Sequence, residues 1–312
     1  MTQKTAFFFP GQGSQSVGMM TGFGDNPVIK QTFVEASDIL GLDFWAMATE
    51  SNELLNLTQN TQPLMLIAGI ATLRAYRQES GLEANVYAGH SLGEYTALVA
   101  SEALSFADAL PLVKYRAEVM QSAVPEGIGA MAAILGLDDD IVRAVCAEAA
   151  QGEVLEAVNF NSPGQVVIAG NKDAVERGME IAKAKGAKRA LALPVSVPSH
   201  CALMKPAAEK LAEYLKSVTV NLPKIPVIHN ADVQSCSDAD KIKDALVRQL
   251  YSPVRWVETV QAIYAQGATN SAECGPGKVL AGLTKRIVAE LPCAALTSNQ
   301  AITEFINPIK IN

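Results

Sequence analysis

Gly89-His90-Ser91-Leu92-Gly93 fits G-x-S-x-G, a pattern that can lift a serine hydroxyl out of a sheet as a nucleophile. The pattern alone is common. Here a strand candidate over 85–88 precedes it and a helix candidate over 92–103 follows, which is the context the chemistry needs. The glycines permit a sharp turn, and the new helix aims free N–H groups and its positive end at the point where an oxyanion would form. The competing reading is an idle serine in a glycine-rich turn. A serine nucleophile needs a base, and the chain has three histidines: His90, His200 and His229. His90 adjoins Ser91, and the turn would send its side chain elsewhere. His200 closes Val195-Ser196-Val197-Pro198-Ser199-His200, a loop between two structural units and a good place for a catalytic group. His229, at the end of a strand candidate, is the alternative. Asp138, Asp139 and Asp140 lie between Ser91 and His200, but they read as helix-start and surface charges. A neutral oxygen acceptor is therefore left open as the third member.

Other clusters carry less. Gly11-Gln12-Gly13-Ser14-Gln15-Ser16 has serine where a dinucleotide fingerprint needs its third glycine. It still follows a strand, so its backbone N–H groups could complete an oxyanion hole. Gly275-Pro276-Gly277-Lys278 has Ala272 in place of the upstream glycine of a phosphate loop. Arg116 is a solvated helix charge unless it faces a cleft, where its guanidinium could grip a carboxylate with two parallel bonds. The five cysteines show no CxxC spacing and HExxH is absent, so neither a zinc site nor a disulfide framework is implied.

The elements that must position these residues alternate. Strands are expected over 5–9, 85–88, 225–229, 270–273 and 293–296. Helices are expected over 27–40, 61–80 (capped by Thr61), 92–103, up to about 121 (kinked or restarted at Pro111), 202–217, 238–250, 257–266 and 277–290. That is an α/β fold with a mostly parallel sheet covered on both faces, hydrolase-like. Residues 127–196 read β-α-β-β-α-β, a ferredoxin-like subdomain inserted into a core formed by 1–126 and 197–312. A chain of 312 residues with 49% hydrophobic and 18% charged residues can bury such cores. Its net charge of −7 offers no basic footprint for nucleic acid. No apolar run suits a membrane span or a secretory signal, so a cytoplasmic protein is expected.

Taken in order, several segments carry a resemblance: Phe9–Gln15, Gly89–Glu94, Arg116 with Met120-Gln121, Asn159–Gln165, Val195–His200, Val247–Leu250 and Gly275–Lys278. The chain resembles, over essentially its whole length, the bacterial malonyl-CoA:acyl-carrier-protein transacylases of type II fatty-acid synthesis. The resemblance implies a hydrolase-like core, a ferredoxin-like subdomain and a gorge between them. It implies Ser91 as nucleophile, His200 as base, and Gln249 holding His200 through its backbone carbonyl. It places the oxyanion hole at the N–H groups of Gln12 and Leu92, the malonyl carboxylate on Arg116, and Gln165 in the gorge wall. Malonyl-CoA would be the substrate and the phosphopantetheine thiol of acyl carrier protein the acceptor, with no bound cofactor and no metal. The enzyme would be a monomer. Basic candidates for docking the acidic carrier are Lys183, Lys185, Lys188 and Arg189, and separately Lys278, Lys285 and Arg286. Two other classes compete: a thioesterase using the same serine and histidine, and a non-catalytic acyl-binding module.

Overall fold

Every residue of Thr5–Phe9 (β1) is buried, so this strand has no polar face. Such a strand belongs between two covered faces. The computed structural model, which describes residues 3–311, puts β1 at the centre of a five-stranded, wholly parallel sheet. The core expected over 1–126 and 197–312 thus runs past the described residues at both ends.

From β1 the chain continues through α1 (Pro27–Leu40), α2 (Phe44–Thr49), α3 (Thr58–Ser80), β2 (Val86–Gly89), α4 (Gly93–Ala100) and α5 (Phe106–Gln121). There follow β3 (Gly129–Leu135), α6 (Asp139–Ala150), β4 (Leu155–Ser162), β5 (Gln165–Asn171), α7 (Lys172–Ala184) and β6 (Arg189–Ala192). The remainder comprises α8 (Lys205–Leu215), β7 (Val227–Ile228), α9 (Ala239–Gln249), α10 (Trp256–Ala265), β8 (Asn270–Glu273), α11 (Val279–Ile287), β9 (Cys293–Ala295) and α12 (Asn299–Ile311).

The parallel sheet has the order β7-β2-β1-β8-β9. Side chains alternate along β1: Phe7 and Phe9 enter the apolar layer of α1, α3, α4 and α5, while Ala6 and Phe8 enter that of α10 and α11. Phe8 meets Trp256 edge-on at 5.5 Å. The second sheet, β4-β5-β3-β6, is antiparallel and is built from the β-α-β-β-α-β run. α6 and α7 cover one of its faces. The other face presents Met131, Val158, Val167 and Ala169 to Cys201, next to His200. β4 is tied to the core by Val254, whose N–H donates to Val158 at 2.8 Å and whose carbonyl accepts from Phe160 at 3.0 Å.

Three local expectations change. Helix α3 starts at Thr58, not Thr61, and no side chain caps it. The Thr61 hydroxyl instead points back to the Leu55 carbonyl at 2.5 Å, with the Leu57 carbonyl at 3.1 Å. Helix α5 runs unbroken through Pro111. Proline removes one N–H, and packing in the main core holds the turn. Helices α2 and α12 were not foreseen; α2 is six residues long, too short for a periodic signal, and is marked only by the Asp43 cap on Ala46.

Candidate active site

Ser91 lies between β2 and α4 with φ +51°, in the left-handed region that side chains rarely adopt. The turn is that sharp because the two elements touch: a Cβ on Gly89, the last residue of β2, would come within 1.8 Å of the carbonyl of Gly93, the first residue of α4. The Asn230 side chain fixes the turn from below, accepting from Ser91 N at 2.8 Å and donating to Gly89 O at 2.7 Å.

Ser91 Oγ lies 2.8 Å from His200 Nε2. His200 is also at positive φ, +66°, held by its own N–H to Leu250 O at 3.0 Å. Its Nδ1 lies 2.8 Å from the Gln249 carbonyl. A carbonyl only accepts, so Nδ1 carries the proton and Nε2 keeps the lone pair that faces the hydroxyl. Burial, followed by the nearby Arg116 charge, pulls this imidazole down to about 3, against the pull of the Gln249 carbonyl. The ring is neutral and ready to accept a proton. His90 turns away to Asn161, 2.8 Å from its Nε2, and packs on Trp256.

A cavity of about 400 Å³ opens above Ser91 and His200. Gln12 and Leu92 both line it. The two loops that carry them meet closely, since a Cβ on Gly11 would lie 2.5 Å from the His90 carbonyl. Among the described residues, neither the Gln12 N–H nor the Leu92 N–H donates to a protein acceptor. Two free N–H groups beside a serine, Leu92 at the start of α4 and Gln12 in the loop after β1, can receive an oxyanion.

Arg116 is 1% exposed and lines the same cavity. Its guanidinium donates to Gln62 Oε1 at 2.7 Å, Gln249 Oε1 at 2.9 Å and Ser91 Oγ at 3.3 Å, and lies over the Tyr95 ring. Burial lowers its pKa, opposed by Tyr95 and Glu94, but a guanidinium stays charged near neutrality. A second polar layer lies beneath. Gln249 Nε2 donates to Glu94 Oε2 at 3.1 Å and to Ser91 O at 2.9 Å. Glu94 Oε1 lies 2.6 Å from His229 Nδ1.

Sequence reasoning missed Gln62, Glu94 and Asn230. Glu94 did leave a signal, as the one charge in an α4 whose residues are all buried. The alternative base, His229, is excluded by position, because its Nδ1 is engaged by Glu94. Gln165 opens β5 at the hairpin end, paired with Ser162, and its Oε1 accepts from Arg286 at 3.2 Å; it is not among the residues lining the cavity. The cavity residue from this hairpin is Asn159.

The basic residues regroup. Lys183 and Lys185 are paired with Glu180 and Glu148. Arg189 pairs with Leu135, and Leu135 with Gln165, which holds Arg286. Lys188 and Arg189 therefore share one end of the small sheet with Arg286 of α11.

The sequence profile of the acyl transferase domain matches residues 6–299. The malonyl CoA-acyl carrier protein transacylase of Escherichia coli (strain K12) is 56% identical over 304 residues, covering 97% of this chain and 98% of its own. An acyl-carrier-protein S-malonyltransferase from Burkholderia pseudomallei has a crystal structure that aligns with a TM-score of 0.96 at 59% identity, covering 98% of this chain and 100% of its own. A malonyl-transacylase solved in complex with a type II PKS acyl-carrier protein is 51% identical, with a TM-score of 0.96 over 98% of this chain and 100% of that one.

Proposed function

The chain belongs to the acyl transferase family, among the malonyl-CoA:acyl carrier protein transacylases, and we propose that Ser91 and His200 carry its reaction in ping-pong order. It is an acyltransferase that moves malonyl from malonyl-CoA to the thiol of acyl carrier protein, supplying malonyl-carrier for fatty-acid elongation. In our reading the Ser91 hydroxyl attacks the thioester while His200 Nε2 takes its proton, with the Gln249 carbonyl holding the imidazole. The carbonyl oxygen becomes an oxyanion against the N–H groups of Gln12 and Leu92. His200 returns the proton to the departing coenzyme A thiol, leaving malonyl on Ser91. The carrier's phosphopantetheine thiol then repeats the sequence, with His200 again as base.

The observation that carries the substrate assignment is the buried Arg116 guanidinium, 3.3 Å from the attacking oxygen. An acyl group on Ser91 with a free carboxylate would meet that charge and exchange the Gln62 and Gln249 contacts for it. An acetyl group leaves the guanidinium with neutral partners. Arg116→Ala is expected to lower the ratio of malonyl to acetyl transfer by about a hundredfold, part of the cost of breaking a buried charge pair. Steady-state transfer of each acyl group to holo-carrier measures this, and equal loss for both would remove Arg116 from substrate selection.

The rest of the reading is architectural. The core (1–126 and 197–312) and the inserted subdomain (127–196) enclose the cavity. The enzyme works as a monomer in the cytoplasm and needs no bound cofactor. The carrier docks on Lys188, Arg189, Lys285 and Arg286, which the shared sheet end supports. That a related transacylase has been solved with an acyl-carrier protein supports the partner, though not this patch.

A further inference from the structure

From the cavity a buried chain of side chains runs inward to two residues, Glu94 and His229, that the reaction as written does not use. It runs Arg116–Gln249–Glu94–His229, with separations of 2.9, 3.1 and 2.6 Å. All four residues are 1% exposed or less. The Gln249 amide has one orientation available: a guanidinium only donates, so it must meet Oε1, and a carboxylate only accepts, so it must meet Nε2. The Glu94 oxygen that meets Gln249, Oε2, also accepts from Asn230 N at 2.9 Å, and Asn230 holds Ser91 N. Glu94 is thus joined to both the nucleophile turn and the acyl-binding arginine.

A carboxylate buried this deeply needs a compensating charge. Two cations are within reach, Arg116 through the amide and His229 directly. If Arg116 supplied the compensation, an incoming acyl carboxylate would compete with Glu94 for one guanidinium. We propose that Glu94 and His229 are a positioning pair for substrate selection: the His229 imidazolium satisfies Glu94, leaving the Arg116 charge for the carboxylate of the acyl group. The inference rests on the reading of Arg116 given above.

The surroundings of His229 agree. Burial alone would lower its pKa, but the Glu94 carboxylate and the Cys236 sulfur outweigh it and raise the ring to about 10. Its Nε2 has no hydrogen-bond partner among the described residues, a cost to the charged ring that the 2.6 Å contact with Glu94 must offset. Asp232, also close enough to feel His229, is already held by Arg248 at 2.6 Å. His90 and His200 are both lowered by burial.

The test has two arms. The native protein, labelled with 15N-histidine, should show one imidazolium and two neutral rings at pH 7.5; a spectrum with no imidazolium overturns the proposal without any variant. For the kinetic arm, His229→Asn keeps an N–H for Glu94 and removes the charge. It should lower the malonyl-to-acetyl ratio of kcat/KM by about tenfold, through KM for malonyl-CoA. Adding Glu94→Gln removes the uncompensated anion, and the double variant should recover to within about threefold of the native ratio. A ratio unchanged in His229→Asn, or a double variant no better than the single, overturns the pair's role. The failures can be told apart: if Arg116→Ala loses the malonyl preference while His229→Asn keeps it, the pair fails and Arg116 stands. If Arg116→Ala keeps the preference, both fail.

Discussion

In the proposed reaction His200 works by being neutral. An ordinary histidine is half-charged near pH 6.5, whereas this one is held down to about 3, first by burial and then by Arg116. The rate of malonyl-enzyme formation should therefore stay level as pH falls through about 6.5, with no acid limb there. An acid limb centred near 6.5 in that half-reaction would contradict the assignment. Stability should respond in both directions. Below about 6.5 the unfolded chain protonates His90 and His200 sites that the folded chain keeps neutral, so stability declines as the pH drops toward about 3. His229 has the opposite sign. Its raised pKa lends stability that is complete below about 6.5 and is lost as pH rises through about 10. Urea unfolding across pH should show this alkaline loss in the native protein and not in His229→Asn.

At the scale of elements, the site depends on how closely two turns approach. The loop after β1 and the turn after β2 bring Gln12 and Leu92 to one cavity wall, and Gly11 is the residue that lets them touch. Gly11→Ala would drive a Cβ into the His90 carbonyl and push the two loops apart. The expected result is a fall in kcat of about a hundredfold with a much smaller change in KM, as for loss of one oxyanion donor. A KM effect alone would show that these amides bind substrate without stabilising the transition state. The elements themselves were largely legible. β1 and β8 were read with the bounds they have, because a fully apolar run and a strand between helical patterns are strong signals. Capping was less legible: Thr61 looked like a cap, but its neighbours already sit in helical geometry and its hydroxyl bonds backward.

For the molecule as a whole, the parallel and antiparallel sheets and the serine–histidine pair could be read from alternation and motif order. What could not be read were contacts between residues distant in sequence. Glu94, His229 and Gln249 meet only once α4, β7 and α9 have packed, and no spacing encodes that. Gln165 shows the reverse: its motif pointed to the cavity, but strand register carries it to the hairpin end beside Arg286. That register also joins two basic clusters that look separate along the chain. Lys285→Glu combined with Arg286→Glu should raise KM for the carrier about tenfold, with a weaker salt dependence than the native enzyme. The same variant should form malonyl-enzyme from malonyl-CoA at the native rate, and slower formation would mean the patch serves the cavity rather than the carrier.

In the proposed reaction malonyl rests on Ser91 between two thiols. Intact-mass measurement of the protein mixed with malonyl-CoA alone, without carrier, tests it most directly. The expected result is one stable malonyl adduct per chain, absent in Ser91→Ala and discharged on adding holo-carrier. Coenzyme A released steadily with no adduct, or an adduct that persists in Ser91→Ala, would contradict it.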